Sequence, residues 1–346
     1  MSSSGNDGPP RGLPRRGWPE VDLGGVRRLP FQTRLNKVSV DDFGRPAAPG
    51  DGGGAWSRWL DRLPRLLAAD NLRLLVARLR EARRDRRVIL WLLGGHVVKT
   101  GLAPTLIDLM DRGYLTAVAM NGSASIHDVE TALFGRTSED VARNLEDGSF
   151  GMVAETGDFF FAAYREACAD GCGMGEGVAR HLERAAAPHR DQSLLHGAWR
   201  RDIPCTVHVA VGTDIIHQQP GADGAAIGEL TMRDFRVLAE VTRGLAPVGV
   251  VVNLGSAVVM PEVFLKAYTV ARNLGCRPSQ LTTANLDMLQ HYRPRENVLQ
   301  RPTALGGDAI PLTGHHEIMV PLLHALLVDA DDADAGAPSD EREGRA

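Results

Sequence analysis

Lysine is nearly absent from this chain. Of 39 basic residues in 346, only Lys37, Lys99 and Lys266 are lysines, and the rest are arginine. Any chemistry that needs a side-chain amine has three candidates. Aromatic residues are also scarce at 5%, and four cysteines in a chain this long do not make the disulfide framework of a small secreted domain. Long hydrophobic runs are missing: the longest, 88–98, is about half of the roughly 20 residues that span a bilayer, and it contains His96. No basic excess exists either. A formal net charge of −4 argues against a nucleic-acid binder that works by neutralising phosphates. The opening MSSSGNDGPPRGLPRRG has no apolar stretch of the secretory kind, so the expectation is a cytoplasmic protein without a membrane partner.

The remaining composition, 43% apolar and 24% charged, is that of a globular chain with a sizeable core. Residues 1–55 are rich in Gly, Pro, Ser and Arg and read as a flexible lead, with a denser stretch at 29–44 suited to docking on the domain or on a neighbouring subunit. Residues 329–346 read as a disordered acidic tail. Between them, 56–328 alternates helical and strand patterns. A helix is predicted over 56–84, strands over 88–93, 115–120, 204–211, 248–254, 280–283 and 308–312, and helices over 102–110, 261–273 and 315–327. Thr137-Ser138-Glu139-Asp140 reads as a capping box opening another helix. GCGMGEG at 171–177 lacks the third glycine and the preceding strand of a dinucleotide fingerprint, and reads as a helix break. Cys168 and Cys172 have no second ligand cluster at zinc spacing, so no metal is expected. The fold class is therefore α/β: one doubly wound parallel sheet with helices on both faces.

In such sheets ligands bind beyond the carboxyl ends of the strands. The polar, glycine-rich peptides fall there: GGHVVKTG, NGSASIHD, GTDIIHQQPGADGAAIGE, NLGSAV, TANLD and TGHHE. Glycine lets backbone approach a phosphate, and helix N-termini aim N–H groups at anions. Gly94, Gly95, His96, Thr100, Asn121, Gly122, Ser123, Gly255 and Ser256 are thus candidates for a ligand with phosphate or ribose groups. Acids at strand ends (Asp128, Asp223, Glu229, Asp287, Glu296 and Glu317) form a second set that could draw a cationic substrate. His315, His316 and His217 are candidate proton acceptors, because histidine titrates nearest neutral pH. Lys99, at a predicted helix start, would more simply contact phosphate.

In order and spacing these peptides resemble the deoxyhypusine synthase family, NAD-dependent enzymes that move the aminobutyl group of spermidine. The likeness runs from about 88 to 328, roughly 70% of the chain. GGHVVKTG stands at the family's first nucleotide-binding turn, with Gly101 agreeing, and NGSASIHD at its TTAGG-type turn, where His127 and Asp128 replace paired acids. Asp223-Gly224 and Gly228-Glu229 resemble the TDGSLGD stretch, NLGSAVV the LGGGVV turn, and RPRENV the RPDEAV segment, which carries Glu296 over. HHEIMVPLLHALL is similar to the last strand-to-helix segment.

The resemblance implies NAD as cofactor, with Asp128 and Asp223 joining its contacts. Glu229, Asp287 and Glu296 would hold an amine-like substrate, Glu296 would take part in catalysis, and the chain would form a homo-oligomer, a tetramer in the family. One departure matters. Where the family has the lysine that forms its covalent imine, this chain has Pro302, and no lysine follows Lys266. Arginine stays protonated and cannot replace it. The expectation is an NAD-binding enzyme that acts on a cationic small molecule by hydride transfer without the aminobutyl transfer. Two alternatives stay open: a non-catalytic nucleotide or polyamine binder, and a metal-assisted hydrolase using His315 and His316.

Overall fold

The structure, a computed structural model, describes residues 21–43 and 55–335. The remainder of the predicted lead (1–20 and 44–54) and of the acidic tail (336–346) lies outside the described residues. Along the chain come β1 (Asn36–Ser39), α1 (Ala55–Arg62), α2 (Leu67–Arg84), β2 (Ile89–Leu93), α3 (Gly95–Lys99), α4 (Ala103–Asp111), β3 (Ala117–Asn121), α5 (Gly122–Phe134), β4 (Arg136–Glu139), α6 (Val141–Leu145) and α7 (Ala154–Asp170). Then follow α8 (Met174–Arg184), α9 (Leu194–Trp199), β5 (Cys205–His208), α10 (Gly224–Arg243), β6 (Val250–Leu254), α11 (Val259–Asn273), β7 (Leu281–Asp287), a π-helical turn Pro294–Gln300, α12 (Arg301–Thr303), β8 (Gly307–Thr313) and α13 (His316–Ala335).

Six of these strands form one parallel sheet in the order β5-β3-β2-β6-β7-β8. Parallel strands buried on both faces read as continuous apolar runs, and β2 (Ile-Leu-Trp-Leu-Leu) is buried throughout. Its side chains alternate between two cores. Ile89, Trp91 and Leu93 join the larger one with α2, α4, α5, α7, α8, α9 and α13, whereas Leu90 and Leu92 join the smaller one with α10 and α11. Helices therefore cover both faces. Among the described residues no helix is long and apolar enough to cross a membrane.

Four local expectations are corrected by tertiary context. The helix over 56–84 is two helices, because Pro64 has no N–H to continue the ladder and constrains the residue before it. The capping box at 137–140 is instead the strand β4, paired antiparallel with β1; only Asp140 acts as a cap, accepting from the Arg143 N–H of α6. The strand predicted over 204–211 stops at His208, since its partner β3 turns into α5 after Asn121 and no ladder remains. α13 continues past 328 to Ala335, and the buried Asp329 accepts from the Ser57 N–H and hydroxyl, tying that helix to α1.

Residues 21–43 run as a strap over α5 and α7. Leu29 exchanges backbone hydrogen bonds with Met152 and Ala154, and Phe31 stacks on Phe134 with ring centroids 3.8 Å apart. Arg34 follows, its guanidinium forked onto the Glu130 carboxylate at 2.8 and 2.9 Å, with only 2% and 1% of the two side chains exposed. A bidentate pair of this kind, hydrogen-bonded all round, withstands burial; one left without its partner does not. Arg34→Ala should therefore cost about 3–5 kcal/mol of unfolding free energy in urea. It should also open the strap to protease; an unchanged midpoint and cleavage pattern would refute this.

Burial also raises carboxyl pKa values in the core. Asp234, which accepts from the Val207 and Gly175 N–H groups, is pushed up to about 7, and Asp128 to about 6. A raised folded-state value means that the folded protein holds the proton longer than the unfolded chain. The stability Asp234 contributes is then fully present below about pH 4 and lost as pH rises through about 7. Relative to wild type, Asp234→Asn should gain roughly 2–4 kcal/mol between pH 4 and pH 8. Paired urea melts across that range check it, and a pH-independent difference would contradict it.

Candidate functional site

From β2 the chain proceeds to β3 and β5 on one side of the sheet, and from β6 to β7 and β8 on the other. The crevice beyond the carboxyl ends of β2 and β6 is the place where such sheets bind ligands. The two strand ends touch there. A Cβ on Gly94 would stand 2.0 Å from the Gly255 carbonyl oxygen, and Gly255 holds φ +67°, a left-handed conformation that favours glycine.

Around this contact several acceptors are left bare. The His316 ring, 1% exposed, donates Nε2–H to the Leu286 carbonyl at 3.2 Å, so Nδ1 carries a free lone pair and has no partner. The Asn253 amide nitrogen donates to the Ser256 carbonyl and the Asn285 Oδ1, which leaves its own Oδ1 buried without a partner. Asp287 ends β7 with Oδ1 3.7 Å from His316 Nε2. His96 lies opposite, its ring centroid 5.4 Å from that of His316, with its pKa lowered by burial and then by Lys99 and His316.

One short helix away, at the end of α3, lies a cavity of about 230 Å³. Its walls include Arg34 from the strap, Lys99, Ser123, His127 and Glu130 of α5, and Asp214 from the loop after β5. Lys37 pairs with Asp140 and Lys266 with Glu262; Lys99 has no ion-pair partner among the described residues. The Asp214 carboxyl is raised to about 6 by burial. Its Oδ2 sits where a Cβ on Gly122 would come within 1.8 Å, and it has no hydrogen-bond partner. His217 accepts at Nδ1 from the Gly212 and Asp214 N–H groups, so its proton is on Nε2, 3.9 Å from Asp214 Oδ2 and also unpartnered.

The sequence candidates separate under this geometry. Gly94, Gly255, His96, His316 and Asp287 converge on the crevice, Ser123 lines the cavity, and His217 stands behind Asp214. Gly95 packs directly on Ser123. Three candidates spend their side chains on their own backbone. The Thr100 hydroxyl donates to the His96 and Val97 carbonyls, Asn121 accepts from the Ala124 N–H, and Ser256 Oγ accepts from the Met260 N–H. Asp128 is corrected outright: it is fully buried and accepts from Ser193 Oγ and the Leu194 and Leu195 N–H groups, fastening α9.

The acid-lined amine pocket of Asp223, Glu229, Asp287 and Glu296 does not assemble. Asp223 caps α10, Glu229 pairs with Arg233 at 2.6 Å on the surface of that helix, and Glu296 pairs with Arg295 on the π-helical turn. His315 points to solvent, 65% exposed beside Glu317, and so does not act with the buried His316. Among the described residues no group of three or more His, Cys, Asp or Glu could hold a metal ion. Sequence reasoning missed Arg34, Glu130 and the role of His127. One signal was there: Ser123, His127 and Glu130 lie at i, i+4 and i+7, a polar stripe along one face of the helix.

The sequence matches no protein-family model and no curated protein. Solved structures do resemble it. A LOR/SDH-like protein from Methanococcus maripaludis S2 shares 16% identity over 78% of this chain and 71% of its own, with a TM-score of 0.50. A deoxyhypusine synthase-like protein from Entamoeba histolytica shares 10% over 75% and 87%, with a TM-score of 0.47. AgrE, solved as a ternary complex with ornithine and NAD+, shares 14%, with a TM-score of 0.48; 79% of this chain is covered but only 35% of AgrE, so the chain spans about a third of that protein. At these identities the likeness concerns the fold alone: the chain has a remote, fold-level similarity to the LOR/SDH-like protein.

Proposed function

We propose that the chain is an NAD-dependent enzyme of the doubly wound, deoxyhypusine synthase-like type that oxidises an amine or other cationic small molecule by hydride transfer in the cytoplasm. The observation that carries this reading is the adjacency of two unlike sites. The crevice at β2 and β6 presents two bare buried atoms, His316 Nδ1 and Asn253 Oδ1, beside the Asp287 carboxylate, whose Oδ1 accepts from the Met288 N–H. The cavity beside it presents an ammonium with no ion-pair partner among the described residues and the Asp214 carboxyl with its Oδ2 unpartnered. Buried acceptors left unpaired are costly, and a hydroxyl- or amide-bearing ligand relieves that cost.

NAD fits this donor set. Its ribose hydroxyls and carboxamide N–H groups are the donors that Asn253 Oδ1 and His316 Nδ1 lack and that the Asp287 carboxylate can accept beside the Met288 N–H, and the Gly94–Gly255 contact lets backbone come close to it. When bound, the nicotinamide ring supplies the hydride acceptor. The protein's own part is to hold charge and exclude water. Asp214 gives a substrate ammonium its counter-charge, and doing so favours the ionised carboxylate over the protonated form that burial promotes. Lys99 stands one turn of α3 beyond the crevice, about 6 Å along the helix axis from Gly95, and balances negative charge on either ligand.

Calorimetry of the purified chain with NAD+, NADP+ and their reduced forms tests the cofactor. Gly255→Val, which forces a Cβ onto the His316 ring and Val97, should abolish binding, and Asp287→Asn should weaken it by about 1–3 kcal/mol. Absence of heat from the wild type with all four nucleotides would overturn the reading. The same proposal includes a homo-oligomer, to which the exposed Trp56 and Trp59 of α1, Leu67 of α2 and Leu66 just before it lend an apolar surface. Light scattering should return a multiple of 37.3 kDa; a monomer mass would contradict it.

A further inference from the structure

The polar stripe of α5 continues beyond the helix into a chain of hydrogen bonds. Glu130 is a carboxylate with four donors: both arms of Arg34, the Thr137 hydroxyl at 2.6 Å and the Thr156 hydroxyl at 3.1 Å. Thr137 has one hydroxyl proton, and a carboxylate beside a guanidinium can only accept it. The Thr137 oxygen is left as an acceptor, and His127 Nδ1 lies 2.7 Å from it. Nδ1 must therefore carry the ring proton. In the neutral ring Nε2 is then the bare nitrogen; it has no hydrogen-bond partner among the described residues, and the side chain that bears it lines the cavity with Lys99 and Asp214. For a neutral ring no other arrangement of protons satisfies the contacts of Glu130, Thr137 and His127 together.

We propose that His127 Nε2 is the hydrogen-bond acceptor that orients a substrate N–H or O–H group in this cavity, and that Arg34, Glu130 and Thr137 are positioning residues that lock the imidazole in the Nδ1–H tautomer. The ring stays neutral and so keeps its acceptor. Burial lowers its pKa to about 4; Glu130 pulls upward, while Lys99, Arg34 and His96 push down. The ligand class follows from this: a primary amine, an amide or a hydroxyl compound is held, whereas a group with no hydrogen to donate meets a lone pair. The strap thereby becomes part of the site, because Arg34 anchors the far end of the relay. The proposal deepens the preceding one by naming its substrate-orienting atom, yet it stands on contacts present in the free protein.

The test uses the full chain labelled with 15N-histidine, with the His127 signals identified by their loss in His127→Gln. Long-range proton–nitrogen correlation should show a protonated Nδ1 and a bare Nε2, unchanged from pH 6 to pH 8, where an unhindered imidazole titrates. Thr137→Val should release the lock and bring in the Nε2–H tautomer; Thr137→Ser should restore it. An Nε2–H or doubly protonated ring in the wild type would overturn the relay, as would a Thr137→Val spectrum identical to wild type. If Thr137→Val does not fold, the wild-type tautomer decides alone. Access is read separately with diethyl pyrocarbonate, which acylates bare imidazole nitrogen. His127 should react several-fold faster than the enclosed His208, and an unmodified His127 would show that Nε2 does not reach the cavity. Failure to bind NAD removes the proposed function and leaves the tautomer untouched, while a wrong tautomer removes the relay and leaves the cofactor reading intact.

Discussion

The contact between the ends of β2 and β6 is the constraint on which the site depends. Two parallel strands of one sheet lie side by side, and the loops that leave them must diverge in opposite directions without a side chain between them. Glycine permits the approach: a Cβ at 94 would enter the Gly255 carbonyl, and the left-handed φ of +67° at 255, with His316 and Val97 each 3.0 Å from a Cβ there, disfavours any side chain. The consequences spread outward along α3. Because Gly94 is pinned against Gly255, α3 starts at a set place, and four residues on it delivers Lys99 to the cavity. On the opposite side, the same contact presses the Gly255 turn against His316 and holds that ring where its Nδ1 faces no protein donor.

The second organising interaction is the buried Arg34–Glu130 fork. Burying two charges costs several kcal/mol per ion before their attraction is counted. It is tolerated here because every strong acceptor position of Glu130 is filled. Such a pair is a poor source of net stability beside an apolar alternative, so its value lies in specificity. It fixes the strap over α5 in one register, closes one wall of the cavity, and sets the proton inventory of Thr137 and thus of His127. Glu139 reinforces the same wall, accepting from the Gly151 N–H and from Asn144. Asp234 uses the same principle at a distance from the site: it joins the α8 N-terminus to β5 through backbone N–H groups.

The crevice and the cavity differ in what they leave unsatisfied. In the crevice the unpaired atoms are acceptors, suited to hydroxyl and amide donors. In the cavity an ammonium, a carboxyl and a bare imidazole nitrogen stand together, suited to a small polar molecule with both charge and donors. Pro302 is buried in α12 and its carbonyl accepts from the Tyr268 hydroxyl, while Lys99 enters from a different strand end.

The alternation of apolar strands with amphipathic helices, written in 89–93, 117–121, 250–254 and 281–287, by itself determined a parallel sheet covered on both faces. Those runs are local, and burial on two sides leaves no other use for them. It also placed five of the six polar peptides at strand ends, because backbone can turn or approach closely only where glycine and small polar residues stand; TANLD instead lies inside β7, whose strand was expected to stop at 283. Tertiary structure decided which of those peptides face one another. Asp128 and His127 are neighbours in sequence, but the helical period of α5 turns the first into the core to fasten α9 and the second into the cavity. Asp223, Glu229 and Glu296 looked alike as strand-end acids, and each found a partner nearby on its own element. Arg34 and Glu130 lie 96 residues apart, and no local pattern links them. Their pairing exists only because β1 finds an edge at β4, and with it the strap, the cavity wall and the tautomer of His127 come from packing and not from any stretch of sequence.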